Sequence, residues 1–407
     1  MNANTPRRAA VAFIFITVLL DILSFGLIIP VFPHLIASFV NGDLGLAATW
    51  YGYFAIGFML MQFVCSPIQG ALSDHFGRRP VILLSNLGLG LDFVLMALAQ
   101  SIPWLFIGRV LAGVTSASIS TANAYIADVT PPEQRAKAYG MLGMAFGLGF
   151  VVAPAIGGVL GAIHPRLPFW LAAGLSLTNF CYGFFVLPES LGKENRSPFS
   201  WRKANPFAWL PWLKQQPQVL ALVMVTFLMA LAHLVYPMTF VLYADYRFHW
   251  GTREVGFVLA GVGVLGTIVQ GGLMGHLKRL LGERRMLVLG SACGALAFFL
   301  MGLAPGGIWF LLALPVSAFW GIASPAAQAI MTRHIAAHEQ GRLQGVIASL
   351  GSVAGIIGPA MFTLTFAAAA SSKPPAWYAG ATFWLASGLL SLAGIIAWLA
   401  TRKQDQA

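Results

Sequence analysis

Roughly twelve apolar runs, each near 20 residues long, follow one another along this chain of 407 residues. A hydrocarbon layer about 30 Å thick takes about 20 helical residues to cross, so such runs predict membrane-spanning helices. They lie at 10–33, 50–72, 80–101, 103–125, 139–161, 168–188, 217–243, 253–276, 285–303, 307–330, 343–366 and 376–400. Soluble domains carry about 25% charged residues; here 9% are charged and 58% hydrophobic. Strand-length alternation is absent, which argues against a transmembrane barrel. The expected fold class is an all-α membrane protein of twelve transmembrane helices.

The net charge of +11 does not point to nucleic acid, because the basic residues are scattered singly between apolar runs. Of the 24 lysines and arginines, 19 fall in one alternating set of loops and 4 in the other, with Arg109 inside a run. Positive loops stay on the cytoplasmic side, so both termini are expected there. Arg7 and Arg8 before the first run imitate a signal peptide, but no small-residue cleavage site follows, and the run reads as a retained span. Cys65, Cys181 and Cys293 all lie within apolar runs, as buried thiols do and a disulfide framework does not.

The longest hydrophilic connection, 189–216, divides the chain into two six-helix bundles, 1–188 and 217–407. Its later part mixes Trp201, Trp209 and Trp212 with Arg202, Lys203 and Lys214, which suits the head-group level. The halves read as repeats: Gly77 and Gly282, Gly140 and Gly345, and Pro154 and Pro359 are each 205 positions apart. Gly70 and Gly275 keep the same separation. Parallel repeats of six helices characterise one large class of secondary transporters.

An ionised side chain deep in a bilayer costs about 3 kcal/mol or more, so each one needs a reason. Asp21, Asp92 and Arg109 are the candidates. At 1.5 Å per residue, Asp21 lies roughly 16 Å into the first run, near mid-membrane. Asp92 and Arg109 fall at similar depth on consecutive helices, roughly 12 Å and 9 Å from the outer edge. They can pair, which leaves Asp21 as the lone carboxylate. Desolvation penalises the charged form of a carboxylate. One that gains and loses a proton as its surroundings change carries protons; the alternative is a structural Asp92–Arg109 pair with a hydrogen-bonded Asp21. The polar residues Gln62, Asn86, Asn123, Asn179, Gln270 and Gln328 are candidates to line a substrate cavity, or to bond between helices. Histidines show no metal-ligand spacing, and no phosphate-binding Gly-x-x-x-x-Gly-Lys-Ser/Thr loop is present. No metal, cofactor or catalytic set is expected.

Between the second and third runs stands Gly70-Ala-Leu-Ser-Asp-His-Phe-Gly-Arg-Arg79, a short charged connection followed by Pro80. It resembles the signature loop between helices two and three of the major facilitator superfamily. Gly108-Arg-Val-Leu-Ala-Gly113 resembles the fourth-helix motif of its proton-driven members. Gly149-Phe-Val-Val-Ala-Pro-Ala-Ile-Gly-Gly158 resembles the fifth-helix antiporter motif, with Ala153 where the family usually has glycine. Leu20-Asp21 through Pro30 is similar to the first-helix motif of the twelve-helix drug:proton antiporters, and the likeness runs closest to the tetracycline-efflux family.

The resemblance implies roles. Asp74, Arg78 and Asp128, with Gly70, Gly77 and Arg79 around them, would form a cytoplasmic charge network that latches the halves in the outward-facing state. Asp21, Asp92 and Arg109 would belong to the proton and transport path. Gly149, Pro154, Gly157 and Gly158 would shape packing as access alternates. Gly294 stands where the tetracycline exporters carry a ninth-helix acid, and Gly266 where some carry a histidine, so coupling here would rest on the first half. The expected activity is proton-driven export of small amphipathic compounds by alternating access, from a monomer in a bacterial inner membrane, with the proton gradient as the energy source. The alternatives are a proton-symporting importer of a metabolite and a receptor or scaffold, though a scaffold gains nothing from buried charges.

Overall fold

In a hydrocarbon layer a backbone N–H or C=O has no water to bond, so each apolar run must satisfy its own backbone as a helix. The computed structural model describes residues 5–116, 118–197, 213, 216–335, 339–371 and 376–402, and no strand occurs among them. Of the connection 189–216, residues 198–212, 214 and 215 lie outside the described residues, and with them the tryptophans and basic residues assigned to the head-group level.

In chain order the helices are α1 (Thr5–Ile28), α2 (Phe32–Phe39), α3 (Leu44–Phe76), α4 (Arg78–Leu98), α5 (Ile102–Thr115), α6 (Ser118–Val129), α7 (Pro132–Ile163) and α8 (Leu167–Val186). There follow α9 (Pro217–His233), α10 (Val241–Phe248), α11 (Thr252–Thr267), α12 (Met274–Leu303), α13 (Gly307–Ala318), α14 (Ala323–Arg333), α15 (Gln340–Ser371) and α16 (Ala381–Thr401). π-helical turns, Tyr236–Phe240 and Ile268–Leu273, join α9 to α10 and α11 to α12.

Ten helical segments among the described residues are long and apolar enough to span. One of these, Thr252–Leu303, runs to 52 residues and holds two spans, divided at Gly282. The shorter α5, followed by α6, supplies the remaining one, which agrees with the twelve runs. Pro154 in α7 and Pro359 in α15 both sit inside helices, as their common spacing predicts.

The stretch from Gly70 to Arg79 is not a loop. Helix α3 continues to Phe76 and α4 starts at Arg78, so the connection is Gly77 alone. Its φ of +108° with ψ of 164° is a conformation open essentially to glycine, and one such residue redirects the chain without a longer loop. Gly282, with φ of 69° and ψ of 166°, does the same in the second half.

Packing gathers the chain into two units. One is Met1–Phe39, Gly57–Asn205 and Thr252–Ala260; the other is Val40–Ile56, Pro206–Gly251 and Gly261–Ala407. In the first, α1 packs along α7 and α8, and α4 along α8 and α5. Gly158 and Gly256 meet there so closely that a Cβ on either would lie 3.0 Å from the other's Cα. In the second, α16 packs along α12 and α9, and the Tyr51 hydroxyl donates to Pro237 O at 2.7 Å.

Candidate functional site

The paired charges expected from depth do meet. Arg109 on α5 donates through Nη2 to Asp92 Oδ2 on α4, and to Met96 Sδ at 3.1 Å. The Phe32 and Phe58 rings lie 5.5 and 5.7 Å from the guanidinium carbon, a cation–π setting that favours a cation out of water. Gly108 makes the pairing possible, because a Cβ there would stand 2.6 Å from Asp92 Oδ1. The glycine before the arginine therefore lets α4 and α5 approach at the depth of the charges.

Asp21 on α1 is buried and is not alone. Asn179 on α8 donates through Nδ2 to Asp21 Oδ1 at 2.8 Å and to Thr17 O at 2.9 Å. In the amide orientation that the hydrogen-bond network favours, Asn86 on α4 donates to Asp21 Oδ1 and to Ile82 O, each at 3.3 Å, while its Oδ1 accepts from Asn179 Nδ2 at 3.1 Å. Two residues predicted as cavity lining thus serve the carboxylate. Among the other four, Gln328 donates to Gln344 Oε1 at 3.3 Å, Asn123 and Gln270 are exposed, and Gln62 is half-buried.

At the Gly77 corner Arg78 is the hub. Its Nε donates to Asp128 Oδ2 at 3.0 Å, and its Nη1 to Asp74 Oδ1 at 2.5 Å and to Ser73 Oγ at 2.7 Å. Ser190 Oγ donates to the same Asp128 oxygen at 3.0 Å. Glu189, which the sequence reading passed over, accepts from the backbone N–H of Arg78 at 2.8 Å and of Arg79 at 3.3 Å. It caps the first turn of α4, whose opening N–H groups have no partner within the helix. A Cβ on Gly77 would strike this carboxylate. The signal for Glu189 was its place as the first acid after the sixth apolar run. Arg79 donates to Phe184 O and lies over the Phe184 ring. Gly70 takes part through its carbonyl, which accepts from Ser73 Oγ at 2.8 Å.

The 205-residue separation carries Gly77 to Gly282, Arg78 to Glu283 and Asp128 to Arg333. The structure joins the latter two: Arg333 Nη2 lies 2.9 Å from Glu283 Oε1, and Lys278 Nζ lies 3.1 Å from the same oxygen. The second half therefore holds a charge-inverted copy of the first network.

The fifth-helix motif packs on α1 and α11. A Cβ on Gly149 would meet the Ile22 side chain, one on Gly157 the Leu27 carbonyl, and one on Gly158 the backbone of Gly256. Ala153 is accommodated by Gly26, where a Cβ would stand 2.6 Å from the Ala153 methyl. Gly294 lies against Trp320 and Leu390, whose atoms would stand 2.7 to 3.0 Å from an added Cβ, so the site has no room for an acidic side chain. The space beside Gly266 is open. No cluster of potential metal ligands occurs among the described residues.

Long apolar helices, a buried ion pair and a buried, amide-bonded carboxylate define a multi-pass helical membrane protein with ionisable groups in its interior. The chain belongs to the Major Facilitator Superfamily, which residues 14–359 match. It is 38% identical to the tetracycline resistance protein, class C, of Escherichia coli, over 91% of this chain and 93% of that one. It is 30% identical to multidrug resistance protein 2 of Bacillus subtilis, over 84% of this chain and 85% of that one. The crystal structure of the nucleoside transporter NupG has the same fold at 10% identity, with a TM-score of 0.79 over 96% of this chain and 99% of that one.

Proposed function

We propose that this protein exports small amphipathic compounds in exchange for protons, as a monomer in a bacterial inner membrane with both termini in the cytoplasm. The observation that carries the reading is Asp21, a buried carboxylate on the first span held by Asn179 and Asn86. Likeness to a tetracycline resistance protein along nearly the whole chain supplies the direction and the substrate class.

In this reading a proton from outside neutralises Asp21 as substrate leaves, and the proton departs to the cytoplasm when the site faces inward. Arg109 holds Asp92 in place, and a proton on Asp92 would release the guanidinium. No cofactor takes part, since the proton gradient is the energy source. Coupling rests on the first half, because the Gly294 position is filled by its neighbours. The Asp74–Arg78–Asp128 network acts as a latch on the cytoplasmic side that must open and reform in each cycle.

The test is drug-driven proton movement in everted vesicles, with tetracycline first among a panel of amphipathic drugs. Asp21→Asn abolishes the proton signal while the protein still reaches the membrane. Coupling that survives the substitution removes Asp21 from the path.

A further inference from the structure

At the Gly282 corner the charge-inverted network borders a cavity of about 1040 Å³, walled by Lys278, Arg284, Arg285 and Arg333 around the single carboxylate of Glu283. The Glu283 side chain is 8% exposed, whereas those of Lys278 and Arg333 are 58% and 70% exposed. Glu283 thus neutralises part of the cluster, and the cations still present N–H groups to the cavity. Val288 and Trp398 belong to its apolar lining, and the same two residues also line a second groove of about 400 Å³. That groove descends between α12 and α16 along Ala292, Leu390, Gly394 and Ile395. A basic cavity continuous with an apolar groove on a membrane-spanning helix pair matches a phosphodiester headgroup with an acyl chain attached.

We propose that this corner binds one anionic phospholipid, its phosphate on Lys278, Arg285 and Arg333 and one chain in the groove beside Gly394. Basic pockets at the ends of spanning helices recognise anionic headgroups, through charge-assisted hydrogen bonds to phosphate oxygens. The first half offers no equivalent, because there the arginine after the glycine is consumed by two aspartates. The proposal needs only that the chain spans a membrane, so it stands or falls apart from the exported substrate.

The test is native mass spectrometry of the delipidated full-length protein, titrated separately with dioleoylphosphatidylglycerol, dioleoylphosphatidylcholine and soluble glycerol 3-phosphate. One phosphatidylglycerol binds at least tenfold more tightly than phosphatidylcholine. Arg285→Ala, or Arg285→Gln should the alanine variant fold poorly, removes about tenfold of that preference; Arg253→Ala, in the first turn of α11, does not. Gly394→Leu places a side chain in the groove, where an added Cβ meets only Ser291 at 3.4 Å, and weakens phosphatidylglycerol binding. Equal binding of the two lipids, indifference to both Arg285 variants, or full competition by glycerol 3-phosphate with indifference to Gly394→Leu would overturn the proposal.

Discussion

The Gly77 and Gly282 corners share a plan and differ in sign. Each has a glycine at positive φ, a buried charged residue next in the chain, and an opposite charge at the end of a later helix. In the first corner the buried hub is a cation between acids, and in the second it is an acid between cations. An ion pair at a helix corner therefore depends on opposition and geometry rather than on which member is positive. What the sign decides is the surplus. The first corner keeps acids, one of which is bound by Ser190, and the second keeps exposed cations around a cavity.

Removing each hub sets the two corners furthest apart. Arg78→Ala leaves two carboxylates facing each other and costs about 2 kcal/mol of stability, less than the 3–5 typical of a fully buried pair. The discount follows from Asp74, whose side chain is 46% exposed and can be hydrated. In transport assays the variant slows turnover more than it weakens substrate binding; an effect on binding alone would break the latch reading. Next come the glycines. Gly77→Ala and Gly282→Ala both incur backbone strain of about 1–3 kcal/mol, but only the first also displaces Glu189, so its thermal midpoint drops further. Equal drops would show that the Glu189 contact counts for nothing. Glu189→Ala removes the cap of α4 at a cost of about 1 kcal/mol, read by thermal unfolding. Smallest is Glu283→Ala, at about 0.5 kcal/mol, since the carboxylate is buried but the cations it leaves behind are exposed and readily hydrated. A larger loss would mean that the second corner is as dependent on its hub as the first.

Much of this was legible in the residues. Run length predicted the spans, and counting rise per residue placed Asp92 level with Arg109. The partners of Asp21 were not legible, because bonding to Asn86 and Asn179 depends on the rotation of α4 and α8 about their axes, which mean hydropathy does not report. The charged stretch after Gly70 is polar enough to predict a loop, yet charged residues at a membrane edge extend a helix well, and here the helix runs on to Phe76. The inverted corner was within reach of simple arithmetic. Identical residues at the common spacing are easily matched, whereas a reversal of sign leaves no identity to match.

In the proposed exchange cycle, the company kept by Asp21 bears on how it would be charged and discharged. A carboxamide is two-handed, offering N–H on one side and C=O on the other. The Asn179 amide now turns N–H toward Asp21, while its own Oδ1 is buried without a hydrogen-bond partner among the described residues. A half-turn of that side chain would give the acid form of Asp21 an acceptor, but it would also set the amide oxygen against Thr17 O and Asn86 Oδ1. Loading such a seat with a proton would therefore ask the whole amide cluster to rearrange, and not the swivel of Asn179 alone.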